Sequence, residues 1–502
     1  MALLMGIDLG TTALKTVIFD EQGRQVAEAS VEYSLHTPQP DFVEANPEIY
    51  WLSLKKALNA MREQCNLLQV SAIGFSAQGE TMFFLDAEGR PLRNAIVWMD
   101  NRAKAQAKAL EDRFGNDACY QTTGQLSFEP CWPASKVLWV RENEPDIFAR
   151  THRIVLIEDY MILRMTGECV SEGSLLTSTA YWNLGNRAYW PEMLDFLGID
   201  AAMLPGICES GEPVGTMLPR VAEELGLSPG VLVATGALDQ AAGAIGVGNV
   251  REGLFSENIG AAMAICAVTR NLKFDPNRQM PAHYFPLPNT YMMHSFTSGG
   301  MNLRWFRDVF CQIEAETAAL TRGSSYDYLS MEAATASPGC DGLLMLPHLA
   351  GSMAPDVNAN AKGVFYGFTL HHRKAHFVRA IMESLGYVLM RNLEALEDMD
   401  IRVDEIRSLG GGARSDVWNQ IKSDITGRRL ITVKCKEAAS LGAAILAGKA
   451  MGLYASVEEA CQGMVFVDRV YEPNAAHRDI YDQGYLRYKQ LFRDLTEMFG
   501  RG

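Results

Sequence analysis

The stretch Asp8-Leu9-Gly10-Thr11-Thr12-Ala13-Leu14-Lys15 places a carboxylate, a glycine, two hydroxyls and a cation between two apolar runs of strand length. It reads as a β-hairpin with a polar tip. Such a tip offers a nucleotide phosphate free backbone N–H groups, hydroxyl donors and a positive charge, and Asp8 could hold a hydrated Mg²⁺ beside it. Three more acids also close apolar runs: Glu80 after Gln78-Gly79, Asp100 two residues before Arg102, and Asp239 between Gly236 and Gln240. Ligands of open α/β sheets collect at strand ends. Phosphoryl transfer asks chiefly for positioning, charge neutralisation and a base for the attacking hydroxyl. One carboxylate near Mg²⁺ and another near a hydroxyl would supply these needs. Taken singly, each stretch has a plainer reading. The hairpin is then a solvated turn, Asp239 a helix N-cap, and Asp100 with Arg102 a surface pair.

The elements that would hold these residues alternate between strand and helix. The two apolar runs within 3–20 and the run 25–33 read as strands, 47–61 as a helix with one apolar face, 70–75 as a buried strand, and 103–114 as a helix. Later, 253–259 and 262–268 form a second hairpin around Gly260-Ala261. Strand 405–409 runs into Gly410-Gly411-Gly412, and glycine there lets a ligand approach the backbone closely. Two stretches of very small residues, 241–248 and 439–448, can cross at short range and would join two similar halves. At 502 residues the chain exceeds one core, and composition places a boundary at 247/248. There is no G-x-x-x-x-G-K-[ST] P-loop and no G-x-G-x-x-G after the first strand. A net charge of −15 argues against nucleic-acid or anionic-membrane binding, and ten scattered cysteines argue against zinc ligation and a disulfide framework. Residues 2–7 are too short for a signal core, and 231–250 is interrupted by Asp239. A cytoplasmic protein is expected, and a homodimer is compatible with the sequence.

Together, residues 6–15, 78–81, 98–102, 136–140, 236–248, 363–368 with 376–383, and 410–416 resemble, in unbroken order, the FGGY carbohydrate kinases. The resemblance implies an α/β fold of two actin-like, ribonuclease H-like ATPase domains, 1–247 and 248–502, with the catalytic cleft between them. It implies ATP-dependent, Mg²⁺-dependent phosphorylation of a small sugar or polyol. Asp239 stands at the base. Gln78, Gly79, Glu80, Asp100, Arg102, Trp132 and Gln240 stand at the substrate, and Asp8 with Asp239 at the metal. Asp8, Gly10, Thr11, Thr12, Ala13 and Lys15, then Gly260, Ala261, Gly300, Arg304, Gly411, Gly412 and Asp416, stand at the nucleotide. The pocket matches neither the glycerol-type nor the xylulose-type members. Gly79 replaces the Arg of the former, and Ala261-Ala262 replaces Thr-Ser. The side chain missing at Gly79 predicts free volume and a substrate larger than glycerol, a ketose or sugar alcohol of four to six carbons. A glycerol-type polyol kinase, or an actin-like ATPase or sensor without sugar turnover, is the alternative.

Overall fold

The computed structural model describes residues 2–500. One strand pattern occurs in it twice. Strands β1 (Leu3–Leu9) and β2 (Ala13–Phe19) form the first hairpin, and β3 (Gln25–Glu32) continues antiparallel beside β2. Helix α1 (Glu48–Met61) then returns the chain so that β4 (Val70–Ala77) lies parallel to β1 on its free side. After a long insertion carrying α2 (Pro133–Asn143), β5 (Leu232–Ala234) joins β4 in parallel, and α3 (Asp239–Gly246) follows.

The second copy repeats this order. Strands β6 (Gly253–Ile259) and β7 (Ala262–Thr269) form a hairpin, with β8 (Tyr291–Ser298) antiparallel to β7. Helices α4 (Met301–Phe310) and α5 (Lys374–Glu397) precede β9 (Val403–Gly410), which is parallel to β6. Helix α6 (Asp416–Thr426), β10 (Arg429–Val433), parallel to β9, and α7 (Ala438–Ala450) complete it. The sheet orders β3-β2-β1-β4-β5 and β8-β7-β6-β9-β10 correspond strand for strand.

Local sequence explains the central elements. Leu4, Met5, Ile7 and Leu9 of β1 are all buried, as a strand covered on both faces requires. On α1, Trp51, Leu54, Ala57, Leu58 and Met61 form the buried stripe. The helix expected over 103–114 begins at Lys104 and breaks at Gly115 (φ 79, ψ 152), and a second helical stretch continues from that kink to Thr123.

Helices α3 and α7, each following the fifth strand of its sheet, cross with their backbones in contact. A Cβ on Gly246 would lie 1.8 Å from the Ala438 carbonyl oxygen, and one on Gly442 1.9 Å from that of Ala242. Helix α7 also lies on the first sheet, where a Cβ on Gly6 would meet the Ser440 carbonyl at 1.8 Å. The small-residue stretches therefore join the two halves, as their composition suggests. Among the described residues, no helix is long and apolar enough to cross a membrane.

Candidate active site

Adjacent strand ends bring the acids together. Asp8, near the end of β1, pairs in register with Ser76 of β4, whose hydroxyl donates to Asp8 Oδ1 at 2.8 Å. The turn before α3 lies on the same strand. Ala237 and Leu238 pair with Ser76 and Ala77, and a Cβ on Gly236 would stand 2.1 Å from the Phe75 carbonyl oxygen. Asp239, the first residue of α3, is thereby fixed against Asp8. Burial, then the charges of Asp8 and Glu80, push its pKa up to about 7 against hydrogen bonds from Gln240. Asp8 and Glu80 are also raised, chiefly by burial; Ser76 and Lys15 oppose the shift at Asp8, and Ser178 and Lys136 at Glu80. Crowded carboxylates of this kind fit a hard divalent cation, which takes oxygen ligands and relieves their mutual repulsion.

Glu80 is held in a strained backbone. Its φ is 58, and the Thr81 N–H donates to the Gly79 carbonyl at 2.7 Å, a γ-turn that places the side chain among the acids. The buried Lys136 of α2 fixes this turn, donating to the Glu80 carbonyl at 3.1 Å and the Val97 carbonyl at 3.0 Å. Burial lowers the Lys136 pKa to about 8. Sequence reasoning assigned this lysine no role. Its signal was a lone cation among the buried apolar residues Ala134, Val137, Leu138 and Val140.

The first hairpin tip, Gly10 to Ala13, is braced from behind. The Tyr33 hydroxyl and Gln78 Nε2 (3.3 Å) donate to the Gly10 carbonyl, and the Tyr33 N–H to that of Thr12 at 2.9 Å. From the front, the exposed indole of Trp98 donates to Thr11 Oγ1 at 2.8 Å. That acceptor role leaves the Thr11 hydroxyl hydrogen free for a phosphate. Thr11→Val is accordingly expected to weaken ATP by about 0.5–1.5 kcal/mol and sugar by less. Calorimetric titration with each ligand checks this, and equal losses would contradict a phosphate role.

The second tip is held by backbone groups of the segment that opens α4. The Gly300 and Met301 N–H groups donate to the Gly260 and Ala261 carbonyls at 3.0 and 2.9 Å. Gly412 packs on Ile259, where a Cβ would lie 2.7 Å from the Ile259 Cβ. Gly260, Ala261, Gly300, Gly411 and Gly412 are thus gathered at one sheet end, with the exposed Arg304 one turn into α4. Asn258 Nδ2 donates to Gln240 Oε1 at 3.3 Å, so the second hairpin reaches the residue beside Asp239.

Several expected roles are corrected. Gly79 leaves no free volume, because a Cβ there would meet Leu238 Cδ1 and Ser178 Oγ, each at 3.1 Å. Gln78 is buried and braces Gly10 rather than facing a ligand. Asp100 and Arg102 form neither a surface pair nor a cleft wall. The buried guanidinium is bonded to Asp100 and Glu44 at 2.8 Å each and lies 3.9 Å over the Phe42 ring, while Asp100 also accepts the Val43 N–H. Lys15 is not a free phosphate cation, since Glu437 pairs with it at 2.5 Å. The Asp416 carboxylate is turned to Arg469 and the Tyr471 hydroxyl. The half-buried Trp132 is oriented by its indole N–H, which donates to the Ser127 carbonyl at 3.0 Å.

Asp341, His371 and His376 form another cluster of possible metal ligands. However, His376 Nδ1 accepts the Arg373 N–H at 3.0 Å, so its Nε2 carries the proton that faces Asp341. A ligating imidazole needs the opposite arrangement.

Comparison with known proteins agrees with this geometry. The N-terminal domain of the FGGY family of carbohydrate kinases matches residues 3–246, and the C-terminal domain matches 266–451. The chain is 30% identical over 504 residues to a xylulose kinase of Staphylococcus epidermidis, covering 99% of this chain and 97% of that one. It is 32% identical over 454 residues to a gluconokinase of Bacillus subtilis, covering 90% and 87%. The crystal structure of a ligand-bound xylulose kinase from Lactobacillus acidophilus superimposes with a TM-score of 0.90 over both whole chains at 26% identity. The two halves are therefore the actin-like, ribonuclease H-like domains that the motifs imply, and the chain belongs to the FGGY family of carbohydrate kinases.

Proposed function

We propose that this ATP-dependent carbohydrate kinase phosphorylates a neutral ketose, with Asp239 as the general base. The carrying observation is the charge of the site. Burial raises the pKa of Asp8, Glu80 and Asp239 alike, and the charges of Asp8 and Glu80 raise that of Asp239 further, while the buried lysine beside Glu80 is spent on two backbone carbonyls. A sugar acid would bring a further negative charge beside these carboxylates, where Lys136 is bonded to backbone carbonyls and Lys15 is paired with Glu437. The curated relatives include kinases for both kinds of substrate, xylulose and gluconate, and the charge favours the first.

In the reaction, Asp239 accepts the proton of the substrate hydroxyl as that oxygen bonds to the γ-phosphorus of ATP. The bond from the γ-phosphorus to its bridging oxygen breaks, and ADP leaves with the electron pair. Gln240 and Glu80 orient the sugar hydroxyls. The first hairpin, 10–13, and the second, 260–261 with Gly300 and Gly411-Gly412, hold the phosphates from opposite sides. Asp8, with Asp239 beside it, would hold Mg²⁺, which supplies neutralisation of phosphate charge when bound. The sugar and base then belong to residues 1–247 and most nucleotide contacts to 248–502. Ten cysteines without a disulfide fit a reducing cytoplasm.

The pKa of Asp239 sets the pH dependence. The base works only when ionised, so kcat/KM for the sugar should fall about tenfold per pH unit below about 7. A flat profile from pH 5 to 8 would remove Asp239 from the role. Substrate class is tested by initial rates with xylulose and gluconate at saturating ATP. The expected result is a higher kcat/KM for xylulose, and a preference for gluconate would overturn the charge argument while leaving the kinase intact.

A further inference from the structure

We infer that Glu158 and Ser174 are positioning residues for the catalytic base, clamping the two ends of the turn that delivers Asp239. The inference rests on the reading of Asp239 as the base. Neither residue belongs to the strands that form the site, and neither faces the cleft, since both are fully buried.

Glu158 lies in the first turn of the helix Ile157–Thr166, and its Oε1 accepts the Gly236 N–H at 2.7 Å. Ser174 lies in the short helix Gly173–Leu176, and its Oγ accepts the Leu238 N–H at 2.9 Å. Those two N–H groups flank Ala237 and immediately precede Asp239. Ser174 is itself fixed. Its hydroxyl donates to Glu172 Oε1 at 2.7 Å, and the buried Glu172 also accepts the Leu175 N–H and the Ser210 hydroxyl, at 2.8 and 2.6 Å. The opposite side of the turn is the β4 backbone, which only glycine at 236 can approach so closely. The base is thereby held between β4, which carries Ser76 and through it Asp8, and two side chains from the insertion.

Stability alone does not account for this arrangement. Glu158 is a buried carboxyl whose Oε2 has no hydrogen-bond partner, and such a group costs folding free energy. Burial, followed by the charge of Glu172, holds it well above its usual range and toward the neutral acid. A neutral glutamine, with one carbonyl oxygen for Gly236, reproduces that state. Leucine fills similar volume without an acceptor. Loss of the clamp lets Asp239 drift, and displacement of a reacting group by about 1 Å can cost about 100-fold.

The test compares Glu158→Leu, Glu158→Gln, Ser174→Ala and Asp239→Asn in the full chain. The assay uses ATP and whichever member of a ketose panel including xylulose turns over fastest. Glu158→Leu and Ser174→Ala should lower kcat by about 10- to 100-fold with KM for ATP and the ADP dissociation constant unchanged. Glu158→Gln should restore kcat to within about threefold of wild type. If Glu158→Leu does not fold, Ser174→Ala carries the comparison. Wild-type kcat in Ser174→Ala or in folded Glu158→Leu overturns the clamp, as does equal loss in Leu and Gln variants. Full activity in Asp239→Asn would instead overturn the base assignment, so the two failures are distinguishable.

Discussion

Asp239→Asn is expected to abolish sugar phosphorylation while leaving nucleotide binding nearly intact. The amide keeps the shape of the carboxylate but cannot accept the hydroxyl proton, and general-base assistance is worth roughly 10²–10⁴-fold. The fold should tolerate the change. Asp239 is crowded by Asp8 and Glu80, whose charges raise its pKa, so a neutral residue relieves repulsion above pH 7. The measurement pairs kcat from coupled ADP release with ADP affinity by calorimetry. Wild-type turnover, or a loss of ADP affinity as large as the loss of rate, would show that Asp239 is not the base.

The second large effect lies far from the chemistry. Gly442→Ala places a Cβ 1.9 Å from the Ala242 carbonyl oxygen, where α7 crosses α3. Both partners are backbone in buried helices, so no side chain can swing away. Overpacking that shifts backbone costs about 1–3 kcal/mol and occasionally more, and here it also parts the junction of the two halves. Gly215→Ala serves as the control, because a Cβ at Gly215 meets nothing within 4 Å. Thermal unfolding should show a large fall in Tm, or no folded protein, for the first variant and almost no change for the second. Equal Tm values would mean that the helices can separate without cost.

The duplicated fold was legible because its signals are local. Gly10 with Thr11-Thr12, and Gly260 with Ala261, each interrupt two apolar runs, and the Gly/Ala stretches at 241–248 and 439–448 announce a close crossing. The strand ends that carry Asp8 and Asp239 were legible for the same reason. What escaped is pairing at long range. That Leu238 closes the space beside Gly79, that Glu437 neutralises Lys15, and that Glu44 and Phe42 enclose Arg102 depend on residues distant in the chain. No periodicity or spacing encodes such meetings. An absent side chain at Gly79 leaves a cavity only if no neighbour fills it, and Leu238 and Ser178 stand there. Glu158 and Lys136 stayed hidden because each acts through backbone groups of another loop.

The central claim is that this chain moves the γ-phosphoryl group of ATP onto a sugar hydroxyl with Asp239 as base. Transfer from γ-labelled ATP across a panel of ketoses, tetritols, pentitols, aldonates and glycerol tests it most directly, run in parallel on wild type and Asp239→Asn. The account predicts label in a sugar phosphate, in step with ADP release, for wild type with at least one ketose, and none for the variant. Label appearing only as inorganic phosphate, whatever sugar is added, or undiminished transfer by Asp239→Asn, would contradict it.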